Sequence, residues 1–328
     1  MKVLITGSSG YLGGILTRYL IINKIHVVGI DHRVVMGNIS GNYFQFYKCS
    51  ITDKERLESI FREEQPTHVV HFACTFNKVR DRRREYEIDI SGSKNVLDIS
   101  NNTPSVKQLI FSGSTAAYGS YCNNPPWLKE TNPLRPGRYR YGINKKLIEQ
   151  YFTETHLKED LKLIILRICN VVGPSFNKPR SAVSILIKLP YLPRFCKENK
   201  IQFLHEEDMY VLIKMILEDD QVKGTFNLAP DSFSSVKELV PDKKFVMIPV
   251  FFIKFILWIL WNLKILNLQP SSLNISIYPI ILDPSKLASR YGYRFKYSST
   301  EAFVDMVLNG KIDANDQRQP DHFDHPIR

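Results

Sequence analysis

Short apolar runs alternate with amphipathic stretches through the first half of the chain. The apolar runs have strand-like lengths and are found at 2–6, 26–30, 44–47, 67–73, 107–113 and 161–168. The stretches between them carry apolar residues three or four apart, which indicates helices, at 11–22, 53–64, 86–100 and 145–155. Repeated strand–helix–strand units predict parallel strands with crossover helices on both faces. We therefore predict an α/β fold built on a doubly wound parallel sheet of the Rossmann type.

The alternation ends at Gly173 and Pro174. One further strand is indicated at 226–229, but the surrounding sequence is irregular and punctuated by proline. We predict a Rossmann domain over 1–172, to which the strand near 226–229 returns, and a smaller irregular substrate-binding cap over 173–310. The polar segment 311–328 is predicted to be a frayed tail.

The segment 246–266 is apolar on all sides apart from Lys254, Asn262 and Lys264. A membrane-spanning helix needs about 20 apolar residues, and the uninterrupted run after Lys254 is much shorter. We predict an apolar helix near 250–266 that is buried in the cap or lies in a membrane interface, with a spanning helix least favoured. Two tryptophans near a lysine suit peripheral membrane contact. Packing against a partner subunit is the alternative.

Composition and net charge exclude few classes of binding partner. A chain of 328 residues that is 44% hydrophobic and 23% charged is typical of a folded globular protein. Its net charge of +11 is compatible with nucleic acid, membranes or anionic small molecules. The basic residues are mostly scattered and no nucleic-acid-binding motif is present, so we predict no nucleic-acid partner. Five widely spaced cysteines without a CxxC pair predict no disulfide framework and no metal site.

Three glycines follow the first predicted strand. Gly7, Gly10 and Gly13 open a helix with the spacing GxxGxxG. Such a turn needs glycine for its tight bend, for close approach of a pyrophosphate and for close helix–strand packing, and the helix N-terminus faces the phosphates. Asp31 ends the next strand, where a carboxylate holds ribose hydroxyls. These features predict a dinucleotide site, with NAD favoured over NADP because a carboxylate repels a 2′-phosphate; Arg33 could soften that preference.

Two tyrosine–lysine pairs have helical i, i+4 spacing. Tyr141 and Lys145 lie in YGINK, and Tyr210 and Lys214 lie in YVLIK. A chain with 16 tyrosines and 44 basic residues yields such spacing by accident. Spacing alone therefore does not separate a catalytic pair from an ordinary helix surface.

An ordered set of motifs resembles a known family. The motifs are TGSSGYLG at 6–13, the Asp31 strand end, HFA at 71–73, FSGSTAAYG at 111–119, YGINK at 141–145 and LRICNVVGP at 166–174. Together they resemble the extended short-chain dehydrogenase/reductase family, and within it the NAD-dependent epimerase/dehydratase group. The resemblance covers about the first 175 residues well and continues more loosely beyond them.

The resemblance implies specific residue roles. It implies a catalytic set of Ser114, Tyr141 and Lys145 and substrate contacts from Ser114, Asn170 and Lys200. The implied NAD contacts come from Gly7, Gly10, Tyr11, Leu12, Gly13, Asp31, Ser50, Ile51, Phe72, Ala73, Cys74, Ser112, Tyr141 and Lys145.

The chemistry implied for this set is hydride transfer at a carbinol carbon. Tyr141 would take the hydroxyl proton, although free tyrosine, with a pKa near 10, is a poor base at neutral pH. We expect the Lys145 ammonium and the positive nicotinamide to lower that pKa. Ser114 would hydrogen-bond the substrate oxygen.

Four departures from the family pattern bear on the reaction. Thr115-Ala116 follows Ser114 where dehydratases carry Asp-Glu, so dehydration is not expected. Ile201 stands where related nucleotide-sugar epimerases place an arginine that grips the diphosphate, with Lys200 beside it as a weaker replacement. Cys49-Ser50-Ile51 replaces the usual Gly-Asp before a hydrophobic residue. Asp89 stands where asparagine is more usual.

The favoured interpretation is a cytoplasmic NAD-dependent sugar-nucleotide epimerase or oxidoreductase. A membrane-associated hydroxysteroid, sterol or other lipid alcohol dehydrogenase is the first alternative, because the apolar run at 246–266 precedes DPSKLASRYGY. A non-catalytic NAD-binding protein is the second. The resemblance also implies a homodimer formed through the helices near 86–100 and 141–156.

Overall fold

The computed structural model describes residues 1–33, 42–75, 81–176, 187, 191–194, 200–263 and 273–310. The predicted tail at 311–328 and the end of the apolar segment at 264–266 lie outside the described residues.

A seven-stranded sheet forms the centre of the molecule. All of its strand pairs are parallel, and the strand order is β11-β6-β5-β4-β1-β2-β3. The strands are β1 Lys2–Thr6, β2 His26–Asp31, β3 Phe44–Lys48, β4 His68–His71, β5 Gln108–Ser114, β6 Lys162–Ile168 and β11 Gly224–Leu228. The central strands are buried runs of Val, Ile and Leu, as a sheet covered on both faces requires. The predicted α/β doubly wound fold is confirmed.

Helices cover both faces of this sheet. They are α1 Tyr11–Ile22, α2 Lys54–Glu64, α3 Arg82–Tyr86, α4 Gly92–Asn102, α5 Arg140–Glu154 and α6 Glu206–Leu217, with a π-helical turn at Glu87–Ser91 between α3 and α4. The apolar stripes of α1 and α6 pack in one core cluster, and those of α2, α4 and α5 pack in a second cluster on the other face. Burial of each Leu, Ile or Phe in these clusters contributes about 1.5–3 kcal/mol.

The strand order reverses at β1, whose neighbours are β2 on one side and β4 on the other. In open α/β sheets a crevice forms at such a reversal, outside the carboxyl ends of the strands. The carboxyl ends of β1, β2 and β4 carry Thr6, Asp31 and His71. The crevice therefore lies where the glycine turn, the acid and the HFA motif meet.

The later part of the chain adds three short strand pairs and several helices. The strands are β7 Asn170–Val172, β8 Tyr191–Arg194, β9 Lys200–Ile201, β10 Phe203–His205, β12 Ser234–Ser235 and β13 Lys244–Met247, paired as β10–β7, β12–β9 and β13–β8. The helices are α7 Val236–Leu239, α8 Val250–Asn262, α9 Leu273–Ile277, α10 Ser285–Tyr291 and α11 Ser299–Asn309. A third apolar cluster joins Phe203 of β10 to Phe303 of α11.

The apolar helix of the cap is α8, Val250–Asn262. Within the described ranges, the chain forms no helix that is both long and apolar enough to cross a bilayer. Of the two placements predicted for this helix, burial in the cap is wrong for the chain by itself, because Phe251 is 68% exposed and Phe255 and Trp258 are also exposed. One side of the helix packs on the rest of the cap, through Val250, Ile253 and Leu257.

Candidate active site

The glycine turn joins β1 to α1. Gly7 has φ +75°, a conformation that glycine adopts without strain, and its N–H donates to the carbonyl of Ile30 at 2.8 Å. A Cβ at Gly13 would lie 2.2 Å from the Gly7 carbonyl oxygen, so only glycine lets the helix approach the turn this closely. Gly7 and Gly13 therefore keep the turn close to the sheet and the helix, at positions where a side chain would be strained or would clash.

The residues present fit a dinucleotide. A Cβ at Gly7 would lie 2.8 Å from the backbone N of Ala73, so the turn also contacts the segment after β4. Gly10 is the N-cap of α1 and supplies no side chain to cap the helix. The first-turn N–H groups thus need other partners, and a pyrophosphate at the positive end of the helix dipole provides them. Gly10, Tyr11, Leu12 and Gly13 would hold that group.

Asp31 lies at the carboxyl end of β2 and is almost fully buried. Its carboxylate accepts hydrogen bonds from the backbone N–H of Ser9 at 3.1 Å and of Arg33 at 3.0 Å, and lies 3.1 Å from Nδ1 of His32. Burial alone would raise its pKa, but the hydrogen bonds from His32 and Arg33 outweigh burial and hold the pKa of Asp31 below its usual value. Asp31 is therefore an anion at neutral pH, fixed beside the glycine turn.

We expect Asp31→Asn to reduce the preference for NADH over NADPH by about tenfold, because the substitution removes the charge that repels a 2′-phosphate. Fluorescence titration with both reduced cofactors measures the ratio.

The lowered pKa of Asp31 also makes the folding stability depend on pH. The stability that ionised Asp31 contributes is present at neutral pH and is lost as pH falls through its folded-state pKa.

The matched control is Asp53→Asn. Asp53 also accepts a backbone N–H, from Arg56 at 3.1 Å, but it caps the exposed start of α2. It should leave the cofactor ratio unchanged. Tighter binding of NADPH than NADH by the unsubstituted protein would contradict the assignment of Asp31.

The remaining predicted cofactor residues lie around the crevice. Phe72 and Ala73 hydrogen-bond to Thr6 at the end of β1 through their backbone N–H groups, at 3.1 and 3.4 Å. Ser50 is half-buried and its hydroxyl lies 2.8 Å from that of Thr52. The Ile51 side chain is buried beside Gly92, where an added Cβ would lie 2.6 Å from it. Ile51 can therefore face a cofactor only through its backbone.

Ser114, Tyr141 and Lys145 come together between β5 and α5. Ser114 ends β5 and shares a side-chain hydrogen bond with Tyr141. Nζ of Lys145 lies 5.7 Å from the Tyr141 ring centroid and donates to the carbonyl oxygen of Ser112 at 2.6 Å. Lys145 is only 3% exposed, so its ammonium is fixed beneath the tyrosine and beside the strand end.

The surroundings of Tyr141 raise its pKa. Burial is the largest cause of a pKa well above the usual tyrosine value, and the ionisable neighbour Cys74 raises it further. The hydrogen bond from Ser114 opposes this rise only in part. The Lys145 ammonium is directed to the Ser112 carbonyl. That this ammonium and the positive nicotinamide together lower the pKa of Tyr141 stays a prediction.

A carboxylate–amide network beneath this set was not predicted from the sequence. Asn144 donates to Glu85 at 3.1 Å and to the buried Asp89 at 3.0 Å. Asp89 also accepts from the N–H and hydroxyl of Thr75, at 2.7 and 3.0 Å. The network ties the loop after β4, which carries Cys74, to the helix that carries Tyr141. The signal available in the sequence was Asn144 itself, inside YGINK, together with the departure at position 89.

The second tyrosine–lysine pair, Tyr210 and Lys214, makes structural contacts. The Tyr210 ring stacks on Tyr19 at a centroid distance of 4.1 Å, which joins α6 to α1. Lys214 pairs instead with Glu218, at 2.6 Å. Neither side chain lies at the end of β5.

The predicted substrate residues are more dispersed. Asn170 is exposed at the start of β7 and donates to the Gln202 carbonyl at 3.3 Å. Nζ of Lys200 lies 4.7 Å from the Phe233 ring centroid. Ile201, beside it, packs against the apolar cluster of β10 and α11. Position 201 thus presents a packing side chain rather than a cation.

A small cleft, about 50 Å³ in volume, lies between the loop after Ser114 and the cap. Ala116 and Ser120 line one side, Tyr139 another, and Asn274 and Ile280 a third. The Ser120 hydroxyl donates to the Asn274 carbonyl at 2.6 Å. The cleft therefore lies between the segment that follows β5 and α9 of the cap.

The parallel sheet, the glycine turn at its switch point and the buried acid at the next strand end define a dinucleotide-binding Rossmann protein. Residues 3–229 match the model of the NAD dependent epimerase/dehydratase family. The chain belongs to that family.

Known relatives agree with this placement. Over 183 residues, 53% of each chain, the protein is similar at 30% identity to a UDP-glucose 4-epimerase of Lactobacillus helveticus. Its structure is similar to Bordetella bronchiseptica WbmG in complex with NAD and UDP, with TM-score 0.74, 22% identity and 94% of both chains covered. It is also similar to Thermus thermophilus UDP-glucose 4-epimerase in complex with NAD, with TM-score 0.71, 23% identity and 94% and 98% of the two chains covered.

The family expectation and the expectation of an NAD-dependent enzyme are therefore confirmed. The alternative of a non-catalytic NAD-binding protein is not retained, because the family is one of epimerases and dehydratases.

Proposed function

We propose that the protein is an NAD-dependent epimerase or oxidoreductase that acts on a carbinol carbon of a nucleotide sugar. The observation that carries the proposal is the convergence of Ser114, Tyr141 and buried Lys145 at the carboxyl end of β5. The UDP-glucose 4-epimerase relatives and the WbmG complex with NAD and UDP support the nucleotide-sugar class.

Each side chain of the set has one task in this proposal. The Tyr141 phenol exchanges the proton of the reacting hydroxyl, and Ser114, already its hydrogen-bond partner, holds the substrate oxygen. Lys145, anchored on the Ser112 carbonyl, keeps a positive charge beneath the phenol. Bound NAD would supply an acceptor that can take and return the hydride of the carbinol carbon, and its positive ring would favour tyrosinate.

Epimerisation or net oxidation is favoured over dehydration. Expulsion of water needs an acid and a base next to the reacting carbon, yet Ser114 is followed by Thr115 and Ala116. The Thr115 hydroxyl is buried and has no hydrogen-bond partner among the described residues. Neither Thr115 nor Ala116 carries a carboxyl group that could act as this acid or base.

A lipid alcohol is the second candidate substrate. Two observations favour it: Ile201 packs in an apolar cluster where a diphosphate-binding cation was expected, and α8 exposes a row of aromatic side chains. A hydroxysteroid, sterol or prenyl alcohol would not need a cation at position 201, because such a substrate has no diphosphate.

The test is a screen of the purified protein with UDP-, GDP- and dTDP-sugars beside sterols and prenyl alcohols. NADH absorbance follows net oxidation, and chromatography follows epimerisation, which leaves NADH unchanged. Conversion of a nucleotide sugar supports the proposal. Turnover of hydrophobic alcohols alone would replace it with the second candidate.

We also propose a homodimer built on the helices near 86–100 and 141–156. Tyr86 and Leu147 are exposed apolar side chains on these segments, which suits burial against a second copy. Light scattering should give about twice the chain mass of 38.0 kDa; a mass equal to one chain would contradict the dimer.

A further inference from the structure

One continuous segment holds half of the exposed large apolar side chains in the described part of the chain, nine of eighteen. We call it the apolar face; it comprises Val246, Met247, Ile248, Phe251, Phe252, Phe255, Ile256, Trp258 and Leu263. Contiguous exposed apolar patches of this kind mark interaction sites on soluble proteins.

Helix α8 has two apolar sides with different roles. Val250, Ile253 and Leu257 pack against Leu273 and Ile277 of α9. Phe251, Phe255 and Trp258, spaced four and three residues apart, form a stripe on the other side. The inner side already anchors the helix on the cap, so the aromatic stripe is not needed to hold the fold together.

The chain segment that carries the apolar face contains charges of one sign only. Asp242 and Asp283 bound a stretch with no carboxylate, residues 243–282. Lys243, Lys244 and Lys254 lie in its described part, and Lys244 is exposed. An apolar aromatic surface flanked by lysines, on a chain segment without carboxylates, is complementary to anionic lipid headgroups over an acyl interior.

We propose that the apolar face docks on a membrane that contains anionic lipids, with α8 lying in the interface. The aromatic side chains enter the headgroup–acyl boundary, and the lysines remain at headgroup level. A second copy of this chain fits the same face poorly. A two-fold contact would bring the identical faces together, and this stretch offers no carboxylate to pair with the lysines of the other copy.

Docking in this way orients the active site. α9, on which α8 packs, receives the hydrogen bond of Ser120, six residues after Ser114. The cleft beside Tyr139 and Asn274 is thus separated from the membrane-facing helix α8 by α9.

Co-sedimentation with vesicles tests the proposal. The full chain should sediment with vesicles of equal parts phosphatidylcholine and phosphatidylglycerol, and less with phosphatidylcholine alone or at high salt. The double variant Phe255→Glu/Trp258→Glu should partition at least about tenfold less, because it puts carboxylates in the aromatic stripe.

Leu308→Glu is the control, since Leu308 is an apolar residue that is even more exposed, 74% against 58% for Phe255, but lies on α11. It should sediment like the unsubstituted protein, and all variants should keep their melting temperature and NAD affinity. Two results would overturn the proposal: no sedimentation with anionic vesicles, or a dimer in solution that Phe255→Glu/Trp258→Glu dissociates. NAD affinity and turnover are scored separately, so failure here does not bear on the proposed reaction.

Discussion

Tyr141→Phe is expected to lower turnover about a hundred- to ten-thousandfold, because the substitution removes the hydroxyl that exchanges a proton with the substrate. The aromatic ring remains, so its packing near Tyr139, at a centroid distance of 6.0 Å, should be preserved. The rate is measured by chromatography of the product, with NAD affinity and melting temperature followed beside it. Both of these should change little.

Tyr210→Phe is the matched control for this prediction. Tyr210 has the same spacing to a lysine, but its ring stacks on Tyr19 and its lysine pairs with Glu218. The ring contact survives the loss of the hydroxyl, so turnover should stay unchanged. Loss of activity in Tyr210→Phe with retention in Tyr141→Phe would reverse the assignment of the two pairs.

Gly13→Ala is expected to weaken NAD binding by about tenfold or more. The new Cβ would lie 2.2 Å from the Gly7 carbonyl oxygen, a separation that forces the helix away from the turn. Overpacking of this kind costs about 1–3 kcal/mol, and here the displaced atoms belong to the proposed phosphate-binding turn. Calorimetric titration with NAD measures the loss, and thermal unfolding should show a lower melting temperature.

The neighbouring residue supplies the control. A Cβ at Gly14 would meet the Ser8 carbonyl oxygen at 3.4 Å and the Arg18 side chain at 3.8 Å, which are ordinary contacts. Gly14→Ala lies within α1 and should be neutral or stabilise the protein by about 0.4–1 kcal/mol. Equal NAD affinity in the two variants would contradict the role given to Gly13.

Most of the sheet and the glycine turn could be predicted because their signals are local. A buried parallel strand is a short apolar run, and a glycine needed for a positive φ or a close approach leaves a visible spacing, as Gly7 and Gly13 do. The order of motifs then distinguished Tyr141 from Tyr210. Periodicity alone could not, because both pairs lie on helices with the same spacing.

Contacts between distant segments were not predictable in this way. Asp89 hydrogen-bonds Thr75 and Asn144, fourteen residues before and fifty-five after it, and no pattern along the chain joins these three positions. The pKa of Tyr141 is a similar case. Its direction depends first on how deeply the folded chain buries the phenol.

The amino-acid sequence by itself determined the doubly wound sheet, the dinucleotide turn and the family, because each depends on residues that are close in the chain or on their order. Tertiary structure alone decided that Ile201 packs into a cluster with Phe203 and Phe303, and that one side of α8 remains exposed. Both outcomes depend on which surfaces the folded chain brings together, since an apolar residue has the same hydrophobicity whether a neighbour covers it or not.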